Sequence, residues 1–169
     1  MKTLTKFFCA SIILLGFSAA SFAQVTKSAT ASATIVAPIA LSKTVDMNFG
    51  NVASSAAAGT VVLTPAGSRS ATLGATLPAT IGTVAAASFT VTGTAGYTYS
   101  ITLPVAATTI TSGGNNMTVS SFTSSPTPTG LLTGGTQTLT VGATLNVGAA
   151  QPAGTYVSGT PFNVTVNYN

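Results

Sequence analysis

Residues 87–103 have the sequence ASFTVTGTAGYTYSITL, in which larger side chains alternate with small polar ones on both sides of a central GTAGY. Phe89 and Val91 are two positions apart before the glycines, and Tyr99 and Ile101 are two positions apart after them. A period of two is typical of a β-strand that is buried on one face. Because glycine favours a turn, the stretch predicts two strands joined as a β-hairpin.

The same alternation continues toward the C-terminus. It predicts a long strand from Leu139 to Val147, with Gly142 as a β-bulge, because glycine inside a strand often marks one. A closing strand is predicted with its apolar face formed by Phe162, Val164, Val166 and Tyr168. Weaker alternation predicts strands at residues 61–63, 71–77 and 117–122, the last one following the glycine turn at residues 113–116.

Alternate positions near the N-terminus also carry apolar residues, namely Ala29, Ala31, Ala33 and Ile35. We expect two strands in this region, separated near Pro38 because proline cannot donate to a strand ladder. Residues 29–35 are then either the first strand of the domain or a strand given to another chain.

The fold class predicted from these patterns is all-β, an antiparallel β-sandwich of Ig-like or jelly-roll type. Short strands at fairly even spacing, with glycine and proline between them, are typical of such sandwiches. No stretch has the spacing of an amphipathic helix. Residues 24–169 contain no charged or proline-rich linker, so we expect one domain there.

Residues 1–23 have the features of a Sec signal peptide. Lys2 and Lys6 precede an apolar run, and small residues end it at Ser21 and Ala23. The run is shorter than the ~20 residues of a membrane span. We expect cleavage after Ala23, export through Sec to the periplasm, cell surface or extracellular space, and no transmembrane segment in the mature chain. Cys9, the single cysteine, leaves with the leader.

The mature chain has very few charges. Lys27, Lys43 and Arg69 stand against Asp46, for a formal charge of +2. Nucleic-acid binding needs clustered cations that neutralise phosphates, so nucleic acid is not expected as a partner.

Catalysis and metal binding are not expected either. The chain has no histidine, and Asp46 is its only carboxylate, so the sequence contains neither a catalytic triad nor a carboxylate pair. No cofactor motif is present, and the residues that metals prefer are missing. The turn around Asp46, Asn48 and Asn51 is interpreted as stabilised by Asx hydrogen bonds to its own backbone, with no catalytic or metal residue there.

What remains is a structural or surface role. Soluble proteins usually protect sheet edges with charges, which are scarce here, so we expect an edge to be completed by a strand from a neighbouring subunit. The alternative is a self-complete monomer whose N-terminal segment fills its own sheet. Two further alternatives remain: a surface adhesin that stacks glycans on Tyr97, Tyr99 or Tyr156, and an ice-binding face with Thr90, Thr92, Thr138 and Thr140.

Five stretches in order along the chain resemble the bacterial family called domain of unknown function 4402. They are API (37–39), MNFGNV (47–52), YTYSITL (97–103), GATLNV (142–147) and FNVTVNY (162–168). This resemblance implies a secreted, β-rich domain without an assigned activity.

The C-terminal alternation also resembles, more distantly, the spore-coat-U-like pilins of the chaperone–usher route. That resemblance implies a pilin-like β-sandwich and a fimbrial subunit in which Phe162, Val164, Val166 and Tyr168 form a strand-pairing edge. Ala29, Ala31, Ala33 and Ile35 would then belong to the donor strand.

Overall fold

The computed structural model describes residues 23–169, so the predicted signal peptide lies outside the described residues except for Ala23. A compact unit extends from Ile35 to Asn169, and residues 23–34 are described by themselves. The strands are β1 (Ala40–Val45), β2 (Asn48–Phe49), β3 (Ala53–Leu63), β4 (Arg69–Thr76), β5 (Val84–Ala85), β6 (Ala87–Thr92), β7 (Thr98–Thr102), β8 (Thr108–Ser112), β9 (Asn115–Ser125), β10 (Thr129–Leu131), β11 (Thr136–Val147), β12 (Val157–Ser158) and β13 (Thr165–Tyr168). Among these residues, no helix has the length and apolar character to span a membrane.

All strand pairs are antiparallel, which confirms the predicted all-β, sandwich-like fold. The large sheet has the order β1-β6-β11-β9-β8-β12, with β3 and β4 attached to β11 as a side branch. A smaller sheet has the order β10-β7-β13, and β2 pairs with β5. The central strand is β11, which pairs with β6 along its first half, with β3 along its second half and with β9 on its other side.

The core is formed by the apolar sides of the alternating strands. Along β11, every odd residue from Leu139 to Val147 is buried, as the period of two requires. One cluster surrounds Tyr99 and joins the two sheets; the other surrounds Val61 and Leu145 within the curved large sheet. The strand predicted from Leu139 to Val147 is therefore confirmed.

The hairpin predicted at residues 87–103 is wrong. β6 lies in the large sheet and β7 lies in the small one, so the connection between them crosses from one layer to the other. Backbone bonds from Gly93 N to Gly135 O (3.0 Å) and from Gly96 N to Leu132 O (2.9 Å) hold this crossing. The physical reason is burial: the crossing packs the apolar side of β6 against that of β7, whereas a hairpin would leave both on one face of one sheet.

The bulge predicted at Gly142 lies on the neighbouring strand instead. The pairing of β11 with β9 shifts between Gly142 and Thr144, and the extra residue is in β9, where Ser121 has φ +52°. Gly142 has a different reason to be glycine. The backbone of residues 63–65 passes directly over it, in the space that a Cβ would occupy.

Residues 23–39 contain no strand, and β1 begins at Ala40, two residues after Pro38. The strand expected on the C-terminal side of Pro38 is therefore present, and the one expected on its N-terminal side has no counterpart in this structure. Ala29, Ala31 and Ala33 are exposed, and Ile35 is 96% exposed.

The loop that carries the MNFGNV stretch is held by two kinds of hydrogen bond. Gly50 N donates to Asn48 Oδ1 (2.8 Å), which confirms an Asx bond at Asn48. The Arg69 guanidinium, reaching over from β4, donates to the carbonyl oxygens of Phe49, Asn51 (2.8 Å) and Ile81 (3.1 Å). One side chain thus closes two loops that are far apart in sequence.

We expect Arg69→Met to lower the free energy of unfolding by about 2 kcal/mol, because hydrogen bonds from a charged donor are lost together. Urea unfolding of residues 24–169 measures this. Lys43→Met is the matched control, since it also removes one cation but only from an exposed pair with Asp46 (2.6 Å). Equal losses in the two variants would contradict the structural role of Arg69.

Candidate functional site

Within residues 23–169, no three side chains of histidine, cysteine, aspartate or glutamate lie close enough to hold a metal ion. The carboxylate of Asp46 pairs with Lys43 at the surface. The candidate sites are the edges of the sheets and a cleft.

The predicted strand-pairing residues lie on one face near the C-terminus. Val166 is buried, and Phe162, Val164 and Tyr168 are half-buried, whereas the residues between them are exposed. All four contact the core cluster around Tyr99, and the Phe162 ring packs on Phe122 with a centroid distance of 4.8 Å. The predicted alternation is correct, but only Val166 and Tyr168 lie within β13.

β13 is an edge strand. In residues 23–169 it pairs with β7 alone, with Val166 opposite Ile101 and Tyr168 opposite Tyr99. Asn169 N donates to Thr98 O (3.3 Å), and antiparallel hydrogen bonding alternates along a strand. The backbone groups of Thr165 and Asn167 therefore face β7, and those of Val166 and Tyr168 point away from it.

The other strand edges have features that discourage pairing. β1 has an extra residue at Thr44 and the charged Lys43 in register with Phe89. β4 contains Arg69, and its pairing is interrupted near Leu73, which has φ +58°. β10 has three residues and follows Pro128, and β12 has two. β13 contains no charge, proline or bulge, so it is the least protected of these edges.

The Tyr168 hydroxyl connects three parts of the chain at the end of β13. It accepts a hydrogen bond from Thr94 N (2.7 Å) and donates one to Ala37 O (2.9 Å). Its ring packs edge-on against Tyr97 with a centroid distance of 5.6 Å. A Cβ at position 93 would overlap the hydroxyl, which explains the glycine there. The N-terminal residues therefore join the sandwich beside the end of β13.

A cleft of about 1010 Å³ opens on the inner face of the large sheet. Phe89, Val119 and Leu145 are among the apolar residues that line it, and Phe162 lines it next to the start of the C-terminal stretch. Phe89, Val119 and Leu145 are themselves buried, and the loop of residues 45–54 also lines the cleft. The cleft and the C-terminal stretch are thus continuous through Phe162.

The three tyrosines predicted as glycan-stacking residues have different environments. Tyr99 is fully buried, and its hydroxyl donates to Gln137 Oε1 (2.8 Å), so it has no face free for a sugar. Tyr97 packs against Tyr168. Tyr156 is half-buried on the wall of the cleft and donates to Pro152 O (2.8 Å).

The threonines considered as an ice-binding face lie on the two adjacent strands β6 and β11. Thr90 is opposite Thr138, Thr92 is opposite Thr136, and Thr140 is opposite Ser88. Threonine is also a common residue on the solvent face of an antiparallel sheet.

The model of a family described as Domain of unknown function (DUF4402) matches residues 39–168. No curated protein and no solved structure matches the chain.

Proposed function

Because the chain belongs to the family Domain of unknown function (DUF4402), whose description assigns no activity, we propose a function from the edge of the small sheet. The protein is an exported, non-enzymatic structural subunit that assembles by strand addition, in a pilin-like manner. Residues 24–36 of one copy pair with β13 of another copy. The observation that carries this proposal is that β13 has an unpaired side, within the described residues, and contains no charge, proline or bulge.

Backbone pairing is the interaction that such an edge offers. The outward groups of Val166 and Tyr168 supply hydrogen-bond donors and acceptors to an incoming strand, and the alternate side chains of that strand add contacts to the core. The mature chain has a formal charge of +2, so little electrostatic repulsion opposes the approach of a second copy.

The N-terminal segment suits the role of the incoming strand. Ala29, Ala31, Ala33 and Ile35 give it one apolar face, and it has no strand partner in the described chain. Two of its large apolar side chains are left in solvent, Val25 at 80% and Ile35 at 96% exposure. Exposed apolar side chains in an unpaired segment favour a partner that covers them.

The length of the segment also agrees with the acceptor. Thirteen extended residues span about 43 Å, whereas the four residues of β13 span about 13 Å. The excess can continue past Val164 and Phe162 along the cleft, which Phe162 lines.

We expect the double substitution Thr165→Lys with Asn167→Lys to weaken self-association at least about tenfold, equal to about 1.4 kcal/mol, because edge lysines discourage strand pairing. Both side chains are exposed, so the fold should be retained. Analytical ultracentrifugation of residues 24–169 measures the association constant. Ser70→Lys, an exposed position on the β4 edge, is the matched control and should associate as the unmodified protein does.

Mixing two defective proteins tests donor and acceptor separately. A chain without residues 24–36 keeps only its acceptor edge, and the double-lysine variant keeps only its donor segment. Each alone should be monomeric, the truncated chain should bind a peptide of residues 24–36, and the 1:1 mixture should form a heterocomplex. Strand addition is wrong if the unmodified protein stays monomeric and the truncated chain does not bind the peptide.

A second candidate function is glycan binding in the cleft, as a surface adhesin. It is favoured by Tyr156 on the cleft wall, beside the amide of Gln151, which donates to its hydroxyl (2.9 Å). An aromatic ring next to an amide is a suitable surface for a sugar. A glycan array tests this function, and Tyr156→Ala should abolish any signal that it gives.

A further inference from the structure

In each copy, the donor segment joins the sandwich beside the acceptor edge. Ala37 O is 2.9 Å from the Tyr168 hydroxyl, so the N-terminal segment leaves the sandwich beside the C-terminal end of β13. Ile35, two residues earlier, is 96% exposed.

This arrangement has a consequence for the symmetry of the assembly. When the donor and acceptor lie at opposite ends of a subunit, each added copy presents a new acceptor, and the contact repeats as an open chain. When the donor segment and the acceptor edge are adjacent in each copy, a copy that receives a segment on its β13 also places its own segment beside β13 of the other copy. Both exchanges can then occur across one two-fold axis.

Resting on the strand addition proposed above, we infer that two copies exchange residues 24–36 reciprocally and close as a two-fold symmetric dimer. Each β13 receives the segment of the other copy, and no unprotected β13 edge is left to recruit a third. The partner of this surface is thus a second copy of the same chain. The open fibre expected of a pilin does not form from this contact.

Cysteine cross-linking distinguishes the possible arrangements. Residues 24–169 contain no cysteine, so Thr34→Cys and Asn167→Cys introduce the only thiols, one on the donor and one on the exposed side of β13. A short bis-maleimide reagent is added to the double variant, and the products are separated on a denaturing gel. Reciprocal exchange gives one covalent dimer with no larger species. Each single variant is a control for linking between identical positions.

The other outcomes overturn the inference in different ways. A ladder of increasing size means that strand addition occurs in an open chain, which leaves the proposed function intact. A cross-linked monomer means that the segment pairs with its own β13, and both proposals fail. Light scattering on the unmodified residues 24–169 gives an independent check. A mass that levels off at twice that of the monomer supports the dimer, continued growth overturns it, and a monomer at all concentrations overturns both proposals.

Discussion

Replacing Tyr99 by alanine is expected to lower the free energy of unfolding by about 4 kcal/mol, the usual cost of removing a buried aromatic ring. Tyr99 is fully buried at the centre of β7, where it contacts the cluster that joins the two sheets. Its ring lies over Gly130, and its hydroxyl donates to Gln137 Oε1, which also accepts a bond from Leu131 N (2.9 Å). The substitution therefore leaves a cavity and weakens the contact between β7 and β10. Urea unfolding of residues 24–169 measures the loss.

Tyr99→Phe separates the ring from the hydroxyl and should cost only about 1 kcal/mol, the value of one hydrogen bond. Burial raises the pKa of the Tyr99 hydroxyl above its ordinary value of 10.0. The folded protein therefore holds this proton more tightly than the unfolded chain does. Its contribution to stability is complete below the unfolded value and is lost as the pH rises through the raised pKa. The phenylalanine variant should therefore lose less stability than the unmodified protein when the pH is raised above 10.0. If the alanine and phenylalanine variants are equally stable, the ring is not a core residue.

Replacing Gly142 by alanine is expected to lower the free energy of unfolding by about 3 kcal/mol, because the added methyl group has no space. A Cβ at this position would overlap the Leu63 carbonyl oxygen and lie 2.6 Å from the Thr64 carbonyl carbon and 2.7 Å from Pro65 N. These are backbone atoms, which cannot move aside as a flexible side chain can. The strand β3 would have to separate from β11 at the point where it joins the large sheet. Thermal unfolding followed by circular dichroism measures the effect.

Gly159→Ala is the matched control for this substitution. It adds the same methyl group in a position with no atom within 4 Å and without a left-handed backbone, so the stability should change little. A neutral result for Gly142→Ala would contradict the close approach of β3 and β11 in the structure.

The positions of many strands could be predicted from the sequence, because alternation is a local property. Leu139 to Val147 is the clearest example, since every second residue there is buried as expected. The turn at residues 113–116 is another: Gly113 and Gly114 have positive φ, and Ser112 pairs with Asn115. A signal contained within ten residues is sufficient in both regions.

The pairing of those strands could not be predicted in the same way. The alternation of Phe89 and Tyr99 is identical whether β6 and β7 are neighbours in one sheet or face each other across the core. The arrangement depends on Leu132 and Gly135, which are some forty residues away. Their carbonyl oxygens accept hydrogen bonds from the segment that connects β6 to β7. The extra residue at Ser121, in β9, similarly depends on pairing with β11 and leaves no local mark in the sequence.

The candidate site could also be predicted from the sequence only in part. The alternation from Phe162 to Tyr168 was visible in the sequence, but the unpaired state of β13 depends on which strands surround it. The hydroxyl of Tyr168 and the guanidinium of Arg69 form hydrogen bonds between distant segments, and no local pattern in the sequence indicates those bonds. The cleft is lined by residues from distant parts of the chain, which a local periodicity does not encode.

The hydrogen bond between Tyr168 and Ala37 brings the first and last parts of the sandwich to within one side chain of each other. The protein is therefore suited to circular permutation, with a short glycine linker from Asn169 to Val36 and new termini opened between Gly113 and Gly114, around which there is open space. Such a rewired chain would have no free N-terminal arm to exchange, and would provide the isolated sandwich as a single, non-swapping unit.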